Sequence, residues 1–328
     1  MEAWLRILAF LLAGFLLLWR GADWLVAGST QIASRFGVST LVVGLTIVAF
    51  GTSAPEIIVS GLAASEGKVD LSLGNVLGSN IANVGLVLGS CAVVLPRVLE
   101  TPLRAREVIW LFISLALFYV CARDSSIDRP EATFLLLAFV GYNVHVLLTA
   151  GNSAVHHFEP DEKASRHPWF WTLLGIVAIL SAAKLVVIGA EDGALRLGVP
   201  KAVVGLTVVA IGTSLPELAA GLGGALRGES DISLGNVVGS NIFNLLAVVG
   251  IVALVQPISP AAVPAASAEI ASAFDLALSE DVWVVLGFSL AVILLPVSFA
   301  SRAGRAKGLL LLAGYVAYSI WLYASRLS

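Results

Sequence analysis

The sequence predicts an all-α integral membrane protein of about ten transmembrane helices, folded as two five-helix repeats of inverted topology. Three observations carry this. Of the 328 residues, 58% are hydrophobic and only 12% charged, with a mean hydropathy of +0.95, whereas a soluble domain carries about a quarter charged residues. Apolar runs long enough to cross a bilayer recur along the chain, separated by short polar breaks. One block also occurs twice: GLTIVAFGTSAPE, from Gly44 to Glu56, returns 161 residues later as GLTVVAIGTSLPE, from Gly205 to Glu217.

The first span is expected over 4–27. Its start could be taken for a secretion signal, but Glu2 and Arg6 give no net positive head and no small-residue cleavage site follows. The second span, 38–65, carries the first copy of the block, and the third, 71–95, carries a run rich in Gly, Ser and Asn. Spans 104–122 and 131–150 complete a first repeat over residues 1–150. The hydrophilic stretch 151–168, centred on HHFEPDEKASRH, is the linker between repeats. Its His156, His157, Glu159, Asp161 and Glu162 read as a solvated loop rather than a metal site. The second repeat, 169–328, holds spans 169–190, 199–226, 232–255, 279–297 and 308–325. Between the third and fourth of these lies an acidic segment, Gln256 to Asp281, without Lys or Arg. Its stretch 265–278 is expected as a helix lying on the membrane surface.

Five spans, an odd number, set the two copies in opposite directions. With the N-terminus outside, the inner loops hold eleven Lys and Arg and the outer loops seven, so both termini are expected outside the cell membrane. The net charge of −3 carries no polybasic stretch, and no nucleic-acid partner is expected. Nothing implies an obligate protein partner or a cofactor. Cys91 and Cys121 lack metal-ligand spacing and read as small hydrophobes.

The repeat continues without a gap, carrying Asp70–Asn83 (DLSLGNVLGSNIAN) onto Asp231–Asn244 (DISLGNVVGSNIFN). Packing of apolar helices accounts for repeated glycines but not for repeated Thr, Ser, Asn and Glu. Glu56 and Glu217 fall inside apolar spans, where an ionised carboxylate is unfavourable by several kcal/mol unless it meets a partner. Neither motif contains Lys or Arg, so a transported cation is the simplest partner. Pro55 and Pro216 lack the amide hydrogen that would bond the carbonyls of Gly51 and Gly212, so each helix is expected to break there. Backbone carbonyls freed in hydrocarbon are tolerated where they line a cavity or meet an ion.

Ser79 and Asn83 lie four residues apart and share a helix face, as do Ser240 and Asn244. These four are assigned to the site, while Asn75, Asn80, Asn236 and Asn241 are expected to hydrogen-bond between helices. A symmetric pair of carboxylates with hydroxyls and carbonyls suits calcium, a hard cation that takes six to eight oxygen ligands. The absence of Cys and of all His but His145 near the motifs makes zinc, copper and nickel poor candidates. Asp23 and Lys184 are read as charges near span ends, with Asp23 paired to Arg20 along its helix.

The two copies of Gly-Thr-Ser-x-Pro-Glu and of Gly-Asn-x-x-Gly-Ser-Asn-Ile-x-Asn resemble the cation/calcium antiporter superfamily, in particular short bacterial-type sodium/calcium exchangers. The resemblance covers nearly the whole chain. It implies calcium ligands at Thr52, Glu56, Thr213 and Glu217. It also implies sodium binding at Ser53, Ser79, Ser214 and Ser240 with the carbonyls of Ala49 and Ala210, while Asn83 and Asn244 line the same cluster. In one respect the chain departs from the pattern: exchangers of the family commonly place an aspartate where Asn244 stands. Calcium and a monovalent cation are therefore the expected substrates, with sodium, protons and potassium all open as the counter-ion.

A calcium-permeable channel is the competing reading from another mechanistic class, although a doubled broken-helix site fits alternating access better. An enzyme is not expected, because the serines of Gly-Thr-Ser have no His or Lys base in either motif.

Overall fold

A computed structural model of the chain describes residues 2–101, 103, 105–150, 167–199, 210–259, 267–297 and 304–327. The linker 151–166, with its His and acidic residues, and the opening of the second block copy, Gly205 to Val209, lie outside the described residues. The described chain is helical throughout, apart from an antiparallel bridge that ties the loop at Ile127 to that at Ile258.

Helix α1 spans Glu2–Phe36, well past the expected end at 27. It stops where Gly37 takes a positive φ of 65°, a conformation that suits glycine. Ser39 then caps α2, its hydroxyl accepting from the amide of Val42. The pair α2, Thr40–Thr52, and α3, Ala54–Ser65, is one span bent by 43°. The bend falls at Ser53, where the proline pattern places it. Pro55 becomes the second residue of α3, a position in which a missing amide hydrogen leaves no bond unmade. Helix α4 runs from Val69–Ala82 through a π-helical turn, Asn83–Leu88, into Gly89–Val94. Helices α5, Ala105–Ala122, and α6, Arg129–Ala150, follow.

In the second half, α7 covers Pro168–Arg196, and Gly198 ends it at φ 84°, as Gly37 ends α1. Lys184 consequently stands in the middle of a long helix, not near its end. The pair α8, Ala210–Thr213, and α9, Leu215–Leu226, breaks at Ser214. Helix α10 repeats the pattern of α4: Ser230–Phe243, a π turn over Asn244–Val248, then Val249–Val255. The helix expected on the membrane surface, Ser267–Leu276, instead continues through a π turn, Ala277–Asp281, into Val282–Val297, and the whole is α11. Phe274 and Ala277 are buried, which draws this segment into the bundle. Helix α12 is Gly304–Leu327. By length and composition, seven described helices can cross a membrane, and the bent α2–α3 pair makes an eighth candidate.

The apolar interior has two parts. The larger joins α4, α5, α6, α10 and α11; the smaller lies between α1 and α7 and reaches the broken pairs. Contacts between α1 and α7 are reciprocal. Gly14 packs on Val186 and Ala182, and its counterpart 161 residues on, Gly175, packs on Leu25 and Gly21, the counterparts of those two residues. Small residues at such an interface let two backbones approach closely. Outside, large apolar side chains such as Leu16, Leu148 and Leu173 are exposed, as a lipid-facing surface requires.

Asp23 does not pair with Arg20. It accepts from Arg227 at 2.8 Å, because α9 closes on α1 there while Arg20 points outward, exposed. Glu107, not singled out in the sequence, is fully buried at the start of α5. Arg106 donates to it at 2.6 Å and to the carbonyl of Thr149 at 2.8 Å, fastening α5 to the end of α6.

Candidate functional site

Both helix breaks have one local shape. Ser53 (φ −84°, ψ 12°) and Ser214 (φ −88°, ψ −1°) each leave the helix for one residue, and α3 and α9 restart immediately, with Glu56 and Glu217 in their first turns. Each carboxylate thus projects beside a helix N-terminus, where the free amides favour negative charge. Helices α4 and α10 run alongside, and their π turns begin at Asn83 and Asn244. A π turn holds more residues than an α turn and recurs at functional sites.

The two halves are stitched together here by side chains. Ser53 donates to a Glu217 carboxylate oxygen at 2.9 Å, and Thr52 donates to the Asn236 side-chain carbonyl at 3.2 Å. The counterpart of the second bond also forms, Thr213 donating to Asn75 at 3.4 Å. Within the first half, Ser79 donates to Glu56 at 3.4 Å. Asn83 donates to Asn241 at 3.0 Å, and Asn241 donates on to the carbonyl of Asn80 at 3.3 Å. Asn236 also donates to the backbone carbonyl of Glu217 at 3.3 Å. Asn75, Asn236 and Asn241 therefore bond between helices, while the Asn80 amide donates to Val76 on its own helix.

All these side chains are buried except Asn75, which is half-buried. Even so, the network leaves polar atoms unmatched: Glu56 Oε2, Glu217 Oε2, Asn80 Oδ1, Asn83 Oδ1, Ser214 Oγ, Ser240 Oγ and both side-chain atoms of Asn244 have no hydrogen-bond partner among the described residues. Buried polar atoms without partners are rare in folded proteins, and each unmatched one is unfavourable by about 1–3 kcal/mol. Every one of these but the Asn244 amide nitrogen is an oxygen. A cluster of unmatched oxygens drawn from both halves, with two carboxylates and no Lys or Arg, is suited to receive a cation. Among the described residues no three His, Cys, Asp or Glu side chains come together, so the negative charge rests on the two glutamates.

Of the expected site residues, Thr52, Ser53, Glu56, Ser79, Asn83, Thr213 and Glu217 take part in these hydrogen bonds, while Ser214, Ser240 and Asn244 contribute unmatched atoms. The carbonyl of Ala49 accepts from the Ser53 amide at 3.1 Å and, at the longer distance of 3.4 Å, from the Thr52 hydroxyl, so an ion at this oxygen takes the place of the hydroxyl. Ala210, the first described residue of α8, lies one turn before Ser214. The π turns had no signal in the sequence. The hydroxyl of Tyr142 also went unforeseen; it donates at 3.4 Å to the carbonyl of Leu45 within a π turn, Gly44–Val48, of α2.

A multi-pass membrane bundle whose centre is an oxygen-rich, doubly acidic cluster is a cation transporter in class. Matching the family described as "Sodium/calcium exchanger protein" over residues 6–148 and 167–324, the chain belongs to that family, whose members are transporters and antiporters rather than enzymes. It is 37% identical to the putative antiporter CaxA of Alkalimonas amylolytica, over 96% of this chain and 98% of that one. It is 31% identical to the sodium/calcium exchanger MaX1 of Methanosarcina acetivorans, over 95% and 97% of the two chains. Among solved structures it is similar to the sodium-calcium exchanger NCX_Mj soaked with zero Na+ and Ca2+, with a TM-score of 0.78 and 29% identity over 97% of this chain and 99% of that one.

Proposed function

We propose that the protein exchanges calcium for a monovalent cation, sodium first, by alternating access across the cell membrane. Its ten spans form two inverted five-helix halves, residues 1–150 and 169–328, with both termini outside. The observation that carries this reading is the cluster of unmatched oxygens around Glu56 and Glu217. Calcium is bound by Thr52, Glu56, Thr213 and Glu217; Ser53, Ser79, Ser214 and Ser240 with the Ala49 and Ala210 carbonyls take sodium around it, and Asn83 and Asn244 complete the lining. The reciprocal α1–α7 contacts support inverted halves, since each glycine contact returns at the offset of 161 residues. Exchange of sodium for calcium is what MaX1 and NCX_Mj are named for, which supports sodium as the counter-ion.

Calcium uptake into vesicles containing the purified protein is expected to require an outward sodium gradient. Equal uptake under a calcium gradient alone identifies a channel, and uptake driven by protons or potassium reassigns the counter-ion.

The charge of the site sets the stoichiometry. With Asn244 neutral, two glutamates are balanced by one calcium or by two monovalent cations, and a third would place net positive charge in a low-dielectric interior. Exchange is accordingly two-for-one and electroneutral. An imposed membrane potential is expected to leave its rate unchanged, and net current during exchange would refute this.

A further inference from the structure

Asp23 and Arg227 form a solvent-accessible ion pair between α1 and the end of α9. Shifted by the repeat offset of 161 residues, Asp23 becomes Lys184 on α7, and Arg227 corresponds to Glu66 at the end of α3. The pair therefore has a counterpart in the other half with its charges exchanged: anion on α1 and cation after α9 in one case, cation on α7 and anion after α3 in the other. The counterpart is not formed. Glu66 is bonded to Lys68 at 2.6 Å at the surface, and Lys184, exposed in the middle of α7, has no ion-pair partner among the described residues. The packing around them differs in the same sense. A Cβ on Gly223 would sit 2.7 Å from the Ala22 side chain, whereas Leu62, the counterpart of Gly223, is 59% exposed.

An ionisable group in the middle of a spanning helix is unfavourable unless it finds water or a partner, so Lys184 calls for one. Its long stem lets the ammonium reach toward a helix end, as the long side chain of Arg227 reaches toward Asp23. Two copies of one fold held in different conformations can exchange them, and that exchange opens the site to the opposite side of the membrane. From these observations we propose that Lys184 and Glu66 pair when the protein opens to the other side, and that Asp23 and Arg227 separate in the same movement. One ion pair closes each side of the membrane, and only one is made at a time. This inference rests on the alternating-access reading given above.

The test is cross-linking in reconstituted vesicles. In the Glu66→Cys/Lys184→Cys double variant, a bifunctional methanethiosulfonate about as long as a Lys–Glu pair, added during exchange, is expected to join the two thiols, counted by mass spectrometry, and to stop calcium exchange until a reductant is added; such a linker covers the reach of the two side chains, which a direct disulfide does not. The native Cys91 and Cys121 are both buried, and the parent protein under the same reagent is the control. Independently, Glu66→Lys and Lys184→Glu are each expected to slow exchange about two- to fivefold, the range for a partly exposed ion pair, and the two together to restore it. A Glu66–Lys184 pair that never cross-links during gradient-driven exchange overturns the proposal, as does a double reversal no faster than the singles. If the variants without linker take up calcium without any counter-ion gradient, the antiport reading itself fails and the ion-pair proposal with it.

Discussion

Glu56→Gln and Glu217→Gln are each expected to lower calcium exchange by about a hundredfold or more while the protein remains folded. The substitution barely changes volume but removes half of the negative charge in the cluster. A divalent cation would then be left with an uncompensated charge in a water-poor interior, a situation typically unfavourable by about 3–5 kcal/mol. Folding is expected to survive because Gln keeps an oxygen to accept from Ser79 or Ser53, which bond Glu56 and Glu217 respectively. Thr52→Val provides the contrast: it removes the hydroxyl that bonds Asn236 at 3.2 Å and the Ala49 carbonyl at 3.4 Å but keeps the Thr52 backbone carbonyl and both carboxylates, and an effect of no more than about tenfold is expected. Calcium exchange in vesicles, with thermal unfolding in detergent as the measure of folding, separates these outcomes. Near-normal exchange by either glutamine variant would remove the assignment of these residues as ligands.

Gly239→Val is expected to be the most damaging change outside the liganding residues. A Cβ at Gly239 would come within 2.5 Å of the carbonyl oxygen and 2.7 Å of the Cα of Leu45, so the obstacle is backbone and cannot turn aside. Helix α2 would have to move off α10. That separation pulls Thr52 from Asn236 and shifts Ser53 relative to Glu217, disturbing the cluster from both sides. Overpacking of this kind typically destabilises by about 1–3 kcal/mol, and a shift of the site by about 1 Å weakens ion binding further. A fall of several degrees in the unfolding temperature together with a loss of calcium-dependent stabilisation is the expected result. Retention of calcium stabilisation would show that α2 and α10 do not need this close approach.

Much of this site was legible because its residues are chemically out of place. Glu56 and Glu217 in hydrocarbon, and proline one residue before each, break local rules, and their recurrence at a fixed offset excluded accident. The break at Ser53 and the interhelical bonding of Asn75, Asn236 and Asn241 follow from the same reasoning. What escaped notice depends on tertiary neighbours. Nothing near Asp23 in sequence indicates that Arg227 will reach it, since that contact arises from α9 closing on α1. Helix α1 extends to Phe36 because a polar segment carries on as helix beyond the apolar run, which hydropathy cannot register. In the same way, the acidic stretch that opens α11 reads as a surface helix, yet Phe274 anchors it in the bundle. The π turns at Asn83 and Asn244 reflect a local excess of residues per turn that composition does not reveal.

Those two π turns also carry a history. They begin at equivalent residues of the two copies, on helices α4 and α10, and nothing in the intervening chain forces one to follow the other. Acquiring the same local rewinding twice, at one equivalent position, requires two events where a single earlier event suffices. The widened turn therefore predates the duplication. A solitary half cannot enclose the cluster, whose bonds run from one half to the other, each half bringing one glutamate and one rewound helix. The two halves have since diverged, and Asp23 with Arg227 opposite Lys184 with Glu66 is a difference that two identical halves could not encode.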